Sequence, residues 1–384
     1  MANVVLPSVP NNGHHLSAVD YDLHGLAGIR LLNASASDAA AVTRQLGPIQ
    51  SPLTRAPDIV IRFVDRLPTT SRVRYLGVDE AGFTDDAFLV LHSKHKARAR
   101  VRIPFEQIGQ QCEIVCEAGL PAVPLLIPIL NLTVLGKGAL PLHASAFTYN
   151  GTGVLTTGWS KGGKTETLLA FMSRGARYIG DEWVYLSSDG RMMYGIPEPI
   201  RVWDWHLQYL PQYRALVGPG DRARLWAIRL AQSLEGAMPN GAGKEFFPVK
   251  AMRRMMPVLK RQSFVDIHPQ KLFGKGFDTL AGVLDKIFFV VSHETPDVIV
   301  QPMDAGEIAR RMVFSLQHER LDFMAYYLKF RFAFPGVSNE LIERAEELQR
   351  QRLAQVLAGK TAYAVYHPYP APIPALFDAI SALL

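Results

Sequence analysis

Val154-Leu-Thr-Thr-Gly158-Trp-Ser-Lys-Gly-Gly163-Lys164-Thr165-Glu166-Thr-Leu-Leu-Ala-Phe-Met172 joins an apolar strand-like run to a helix-like one through a glycine-rich bend. Gly158, Gly163, Lys164 and Thr165 satisfy the spacing G-x-x-x-x-G-K-[ST]. The chemistry asks for each of these positions. Glycines let the backbone curl so that successive N–H groups point inward at phosphate oxygens, and a helix opening there adds its positive dipole end. Lys164 then reaches terminal phosphates and the Thr165 hydroxyl can ligate Mg²⁺. Ser160, Lys161 and Gly162 complete the bend and Glu166 lies in the first helical turn, so Gly158 and residues 160–166 are the expected nucleotide contacts. The competing reading is a plain glycine turn between a strand and a helix.

Around the bend the order is strand (Leu142 to Tyr149), turn (Asn150 to Gly153), strand (Val154 to Thr157), helix (Lys164 to Arg174) and strand (Tyr178 to Leu186). Such alternation predicts an α/β nucleotide-binding core. Seventeen residues after Lys164, the last strand carries the adjacent carboxylates Asp181 and Glu182. Neighbours in a strand face opposite sides, so one carboxylate is expected to face the phosphates and the other a different partner. A charged pair in an apolar strand is costly unless metal, phosphate or a reacting hydroxyl answers it. The bland alternative is a strand-end turn open to water.

Before this core, Ile59 to Val64, Arg74 to Val78, Phe88 to His92, Arg100 to Phe105 and Cys112 to Cys116 read as short strands. Leu125 to Leu135 reads as a buried helix. The most apolar window, Leu120 to Leu135, contains Pro121, Pro124, Pro128 and Asn131 and is shorter than the ~20 residues of a membrane crossing. After the core, Trp203 to Glu235 and Lys244 to Arg261 show helical spacing, Lys286 to Val291 reads as a strand, and Ala305 to Phe330 and Glu340 to Leu357 read as helices. The expected division is a β-rich N-terminal domain over 1–135, a core over 136–304 and a mainly helical C-terminal region over 305–384.

The chain has 384 residues, 48% hydrophobic and 20% charged, values of a folded globular protein. Only the N-terminal stretch Met1 to Ser17 reads as disordered, and it lacks the pattern of a signal or transit peptide. The formal charge of +6 is modest for the length and does not argue for nucleic acid. Cys112 and Cys116, in one strand, would lie roughly 13 Å apart, too far for a disulfide. A cytoplasmic, reducing location is therefore expected, with no membrane partner.

Leu142-His143-Ala-Ser, Gly153-Val-Leu-Thr-Thr-Gly158, the bend, Glu166-Thr, Arg174-Gly175-Ala-Arg177 and Gly180-Asp181-Glu182 resemble the catalytic core of the bacterial HPr kinase/phosphorylases. That family comprises protein serine kinases with a P-loop and a topology related to phosphoenolpyruvate carboxykinase. The likeness is closest over residues 140 to 190, and closer still to HPr-kinase-related proteins in which a β-rich part precedes the same core. It implies ATP and Mg²⁺ as cofactors, with Lys164, Asp181 and His143 in catalysis: Asp181 as general base toward a serine hydroxyl, His143 managing charge and protons beside it. Taken alone, a histidine after Pro141-Leu142 reads as a structural residue. Glu182 stands where the family has a second aspartate and, with Thr165, is an expected metal ligand. Ring assembly in the family makes a homo-oligomer an expectation.

The family's glycine-rich segment after the carboxylate pair is replaced here by Tyr194-Gly-Ile-Pro-Glu198-Pro-Ile-Arg201. Glu198 is carried as a third metal candidate and Arg201 as a phosphate candidate. The missing segment is tied to phosphorolysis and HPr docking, so neither is implied. The acceptor is left open between a serine in a protein or peptide and a small hydroxyl compound. A regulator that binds nucleotide without turnover is the reading from another class. Basic residues at Lys250, Arg253, Arg254, Lys260 and Arg261 read as a solvated face, and Asp285, ahead of its strand, as away from magnesium.

Overall fold

The computed structural model describes residues 18–78, 80–92, 98–237 and 247–384, with the side chains of 235–237 and 247–253 outside that description. The expected N-terminal disorder, the start of the basic segment at Lys244, and the Lys250 and Arg253 side chains therefore lie outside the described residues. The protein is mixed α/β and forms two compact units, Met1–Lys137 with Arg320–Ala345, and Gly138–Glu319 with Glu346–Leu384.

In the first unit, strands β1 (Val19–Leu23), β2 (Ala27–Leu32), β3 (Ile59–Val64), β4 (Arg74–Leu76), β5 (Ala81–Phe83), β6 (Phe88–His92), β7 (Arg98–Arg102) and β8 (Cys112–Glu117) form one sheet. Its order is β1-β2-β3-β8-β7-β6-β5-β4, with β2, β3 and β8 parallel and the other pairs antiparallel. The first unit is rich in β structure, and β1, β2 and the crossover helix Ala36–Leu46 precede the first of the expected strands. That helix had a signal: Ser35 caps it by accepting from the Asp38 N–H, and Asp38 returns the bond to the Ser35 N–H. The predicted apolar helix is Leu126–Gly136. Phe88, Phe105, Phe323, Tyr327 and Phe330 pack as an aromatic core, and Asn339 answers the buried Phe105 and Ile108 carbonyls at 2.8 Å each. Cys112 and Cys116 are free and buried, and burial pushes the Cys112 thiol up to about 12.

The second unit contains β9 (Leu140–Tyr149), β10 (Thr152–Gly158), β11 (Arg177–Gly180), β12 (Trp183–Leu186), β13 (Met192–Gly195), β14 (Ile200–Trp203), β15 (Phe264–Ile267), β16 (Ala281–Val283), β17 (Lys286–His293), β18 (Ile299–Pro302) and β19 (Thr361–Pro368). Nine of them form a sheet of order β16-β13-β12-β9-β10-β17-β19-β18, with β11 on β9, while β14 and β15 form a separate ribbon. β10 runs parallel to β17 and β17 parallel to β19, and Val154 and Leu155 of β10 are fully buried. Strand β10 therefore delivers the glycine bend from the middle of a buried sheet, a rigid mount for a loop.

Several expectations change here. The run Tyr178 to Leu186 is two strands, broken at Asp181 and Glu182, because Glu182 adopts φ +65° and turns the chain. The C-terminal region, most of it helix, also holds Thr361–Pro368, an interior strand recruited by parallel pairing with β17, a partner distant in sequence. The 305–384 stretch is divided between the two units, and the helix Ala305–Ala333 is shared by both. Local reading missed this because parallel pairing leaves no short-range turn signal. Trp203 to Glu235 likewise begins in β14 before the helices His206–Tyr209 and Pro219–Ala237, and Glu340 to Leu357 breaks after Glu343. Among the described residues no helix is long and apolar enough to cross a membrane.

Candidate functional site

The glycine bend starts at the end of β10 and opens into the helix Lys164–Met172. Gly158 (φ +152°) and Gly163 (φ +107°) hold conformations that side chains resist, and a methyl group at either would overlap the Val290 carbonyl or the His367 ring respectively. Ser160 and the exposed Lys161 form the outer turn. Gly162 donates its N–H to Trp159 O at 3.1 Å. Gly163→Ala is expected to cost about 2 kcal/mol or more of stability, since it adds both backbone strain and a buried overlap. Thermal unfolding reads this, and an unchanged midpoint would contradict the packing described.

Lys164 is buried, with Nζ donating to Trp159 O at 2.9 Å and Gly158 O at 3.4 Å. Burial lowers its pKa, opposed by the carboxylates of Glu182, Asp181, Glu319 and Glu166. The Ser145 hydroxyl holds the Lys164 carbonyl at 2.9 Å. Thr165 Oγ1 donates to Asp181 at 3.0 Å (Oδ2) and 3.3 Å (Oδ1). Asp181 is 3% exposed. Its carboxyl is raised to about 7 by burial and then by the Glu182 charge, with Thr165 and Lys164 pulling the other way.

Glu182 turns to the far side of the chain break. Its carboxylate is 52% exposed and lies 3.1 Å from His143 Nε2, whose hydrogen bond lowers the Glu182 pKa. On the other ring nitrogen, His143 Nδ1 stands 2.7 Å from Glu319 Oε1 of the helix Ala305–Ala333, close but without good hydrogen-bond alignment. Burial disfavours the charged imidazole, yet the two carboxylates prevail and raise its pKa. Lys164, Thr165, Asp181, Glu182 and His143 thus form one linked group, to which Glu319 is an addition.

Glu166 turns elsewhere. Its Oε1 accepts from His206 Nε2 at 3.0 Å, while His206 Nδ1 accepts the Trp203 N–H at 3.2 Å, which assigns the ring proton to Nε2. Burial would raise the Glu166 carboxyl, but the His206 bond leaves it lowered. Glu198 lies in the turn between β13 and β14; after burial, its charge and that of Asp181 raise the Tyr178 phenol. Arg201 pairs with Asp266 at 3.4 Å and covers the Phe264 ring. Asp285 accepts the Gly153 N–H at 2.7 Å, a structural bond. Trp203 packs on Phe264, and Arg310 and Arg311 pair with Asp304 and Glu307.

Glu319, His206 and His367 escaped the sequence reading. Each reaches the bend or its carboxylates from a distant segment, and no spacing rule joins them to it.

The donor set suits a polyanion with a hard cation. Glycines fill places that a Cβ would obstruct, a buried ammonium rests on loop carbonyls, and a hydroxyl meets a carboxylate, oxygen donors of the kind Mg²⁺ takes. Among the described residues no group of three or more His, Cys, Asp or Glu side chains is arranged to hold a metal alone. A magnesium ion here would draw remaining ligands from water and phosphate, its usual habit. No family model matches the chain, and neither does any curated protein.

Proposed function

We propose that the chain is an ATP- and Mg²⁺-dependent kinase of the HPr-kinase-like class, with an α/β core of the HPr kinase/phosphoenolpyruvate carboxykinase type. It transfers a γ-phosphoryl group to a hydroxyl, either a serine in a protein or peptide or a small compound. The observation that supports this most is the contact of Thr165 Oγ1 with the buried Asp181 carboxylate, beside the Lys164 ammonium. A bend that served only as a turn has no use for a buried lysine and a buried carboxylate on its two sides. A cytoplasmic homo-oligomer without nucleic-acid or membrane partners belongs to the same reading, by analogy.

In this mechanism the loop amides and Lys164 would hold phosphate oxygens, and Thr165 would hold the cation, which Glu182 would join only by turning from His143. When bound, ATP would supply the γ-phosphoryl group, with ADP leaving as the β–γ bond breaks, and Mg²⁺ would supply positive charge against the phosphates. Asp181 accepts the acceptor's hydroxyl proton, a task suited to a carboxylate whose pKa of about 7 matches neutral conditions. His143, between Glu182 and Glu319, balances the negative charge next to that base. Positioning and charge stabilisation are what phosphoryl transfer chiefly requires.

Incubation with γ-labelled ATP, Mg²⁺ and cell extract tests the reading and sorts the acceptors. Label is expected on a protein band or a small compound. Nucleotide binding without any transfer would replace the kinase with a nucleotide-binding regulator.

A further inference from the structure

We infer that His367 sets the orientation of the Gly162–Gly163 peptide and thereby the phosphate affinity of the loop. The inference rests on the kinase reading above and assigns a positioning residue from the far end of the chain.

His367 is fully buried, its Nε2 lies 2.7 Å from the Gly162 carbonyl oxygen, 205 residues earlier, and its Nδ1 lies 2.8 Å from Pro368 O. A trans peptide is planar, with its C=O and N–H pointing to opposite sides. Holding Gly162 O on the histidine side therefore turns the Gly163 N–H to the other side. Successive N–H groups directed in this way are what makes an anion-binding nest. Ring and loop are fitted to each other: the space a Gly163 side chain would need is the space the imidazole occupies.

The backbone ladder fixes the ring's place. Gly158 pairs with Val290 and Val290 with Val365, so three parallel strands are in register at the foot of the bend. His367 stands two residues beyond Val365, on the same face of β19. The histidine is thus placed by the sheet that also places the loop, and the distance between them depends little on side-chain freedom. The Glu166–His206 bond secures the first helical turn separately and does not touch Gly162.

The test uses the full chain, calorimetric titration with a non-hydrolysable ATP analogue and Mg²⁺, and thermal midpoints for each variant. His367→Ala is expected to weaken binding about tenfold, the worth of one well-placed hydrogen bond. His367→Gln, whose amide can donate from nearly the Nε2 position, should recover most of that loss. Parent-like affinity in a folded His367→Ala overturns the inference, as does a Gln variant that folds yet binds as weakly as Ala. Should Ala fail to fold, His367→Asn, too short to reach the carbonyl, replaces it in the comparison with Gln. Lys164→Ala is the control: a parent that binds no analogue sinks the kinase reading itself. A parent that binds, with Lys164→Ala weakened and His367→Ala unaffected, sinks this inference alone.

Discussion

Asp181→Asn is expected to lower phosphoryl transfer by about two orders of magnitude or more, with nucleotide binding retained. Asparagine keeps the size of the side chain and can still accept the Thr165 hydroxyl, which lies 3.0 Å from the carboxylate, but it cannot take a proton. The assay follows label transfer to the acceptor found in extract, alongside calorimetry of the ATP analogue. Equal turnover in variant and parent would remove the base assignment. If Asp181 instead acts mainly by sharing magnesium with Thr165, the variant loses the Mg²⁺ dependence of nucleotide affinity as well, so titrations with and without the cation separate the two roles.

The pH profile carries the same assignment with a definite sign. Asp181 is raised to about 7, so the proton-accepting form grows as pH climbs through that value. The parent's kcat/KM should rise from pH 6 to pH 8 and then level, and that limb should be missing in the variant. Stability runs the other way. A carboxyl whose folded pKa exceeds its unfolded value binds its proton more tightly in the folded state, so its stability contribution is present at low pH and lost as pH rises through about 7. Asp181→Asn should accordingly gain stability relative to the parent as pH rises from 5 to 8, by about 3 kcal/mol, most of it below pH 7. Unfolding curves at the two pH values check this.

Lys164→Ala is expected to weaken nucleotide binding by about 10- to 100-fold, the loss of a charge-assisted hydrogen bond to phosphate. The effect reaches further than one contact. Lys164 sits among Glu182, Asp181, Glu319 and Glu166, and its charge holds the Asp181 carboxyl down against burial. Without it, Asp181 titrates higher and the rising limb of any residual activity moves to higher pH. Unchanged affinity for the ATP analogue would contradict the phosphate-loop reading outright.

The outcome at Asp181 and Glu182 explains why part of the site was readable and part was not. Two adjacent acids in an apolar run marked the place, since charge in such surroundings calls for a partner. A continuous strand would have put them on opposite faces by alternation. The chain instead breaks between β11 and β12, and the two acids part company because Glu182 takes a left-handed turn, leaving Asp181 buried on Thr165 and Glu182 half exposed on His143. Alternation was the right question with the wrong geometry.

By itself, the order of residues determined what lies within a few positions along the chain: the glycine bend, the strand and helix on its sides, the helix Leu126–Gly136 and the apolar strand that became β17. Hydrophobic period, turn residues and motif spacing are local quantities, and they survive whatever the rest of the chain does. Only tertiary structure decided that Glu319 flanks His143, that His206 takes Glu166, and that the strand Thr361–Pro368 enters the sheet to bring His367 under Gly162. Those partners meet because a parallel strand, a long helix and the short helix after β14 return from remote segments, and where each lands is set by packing of the whole unit, which no short window of residues contains.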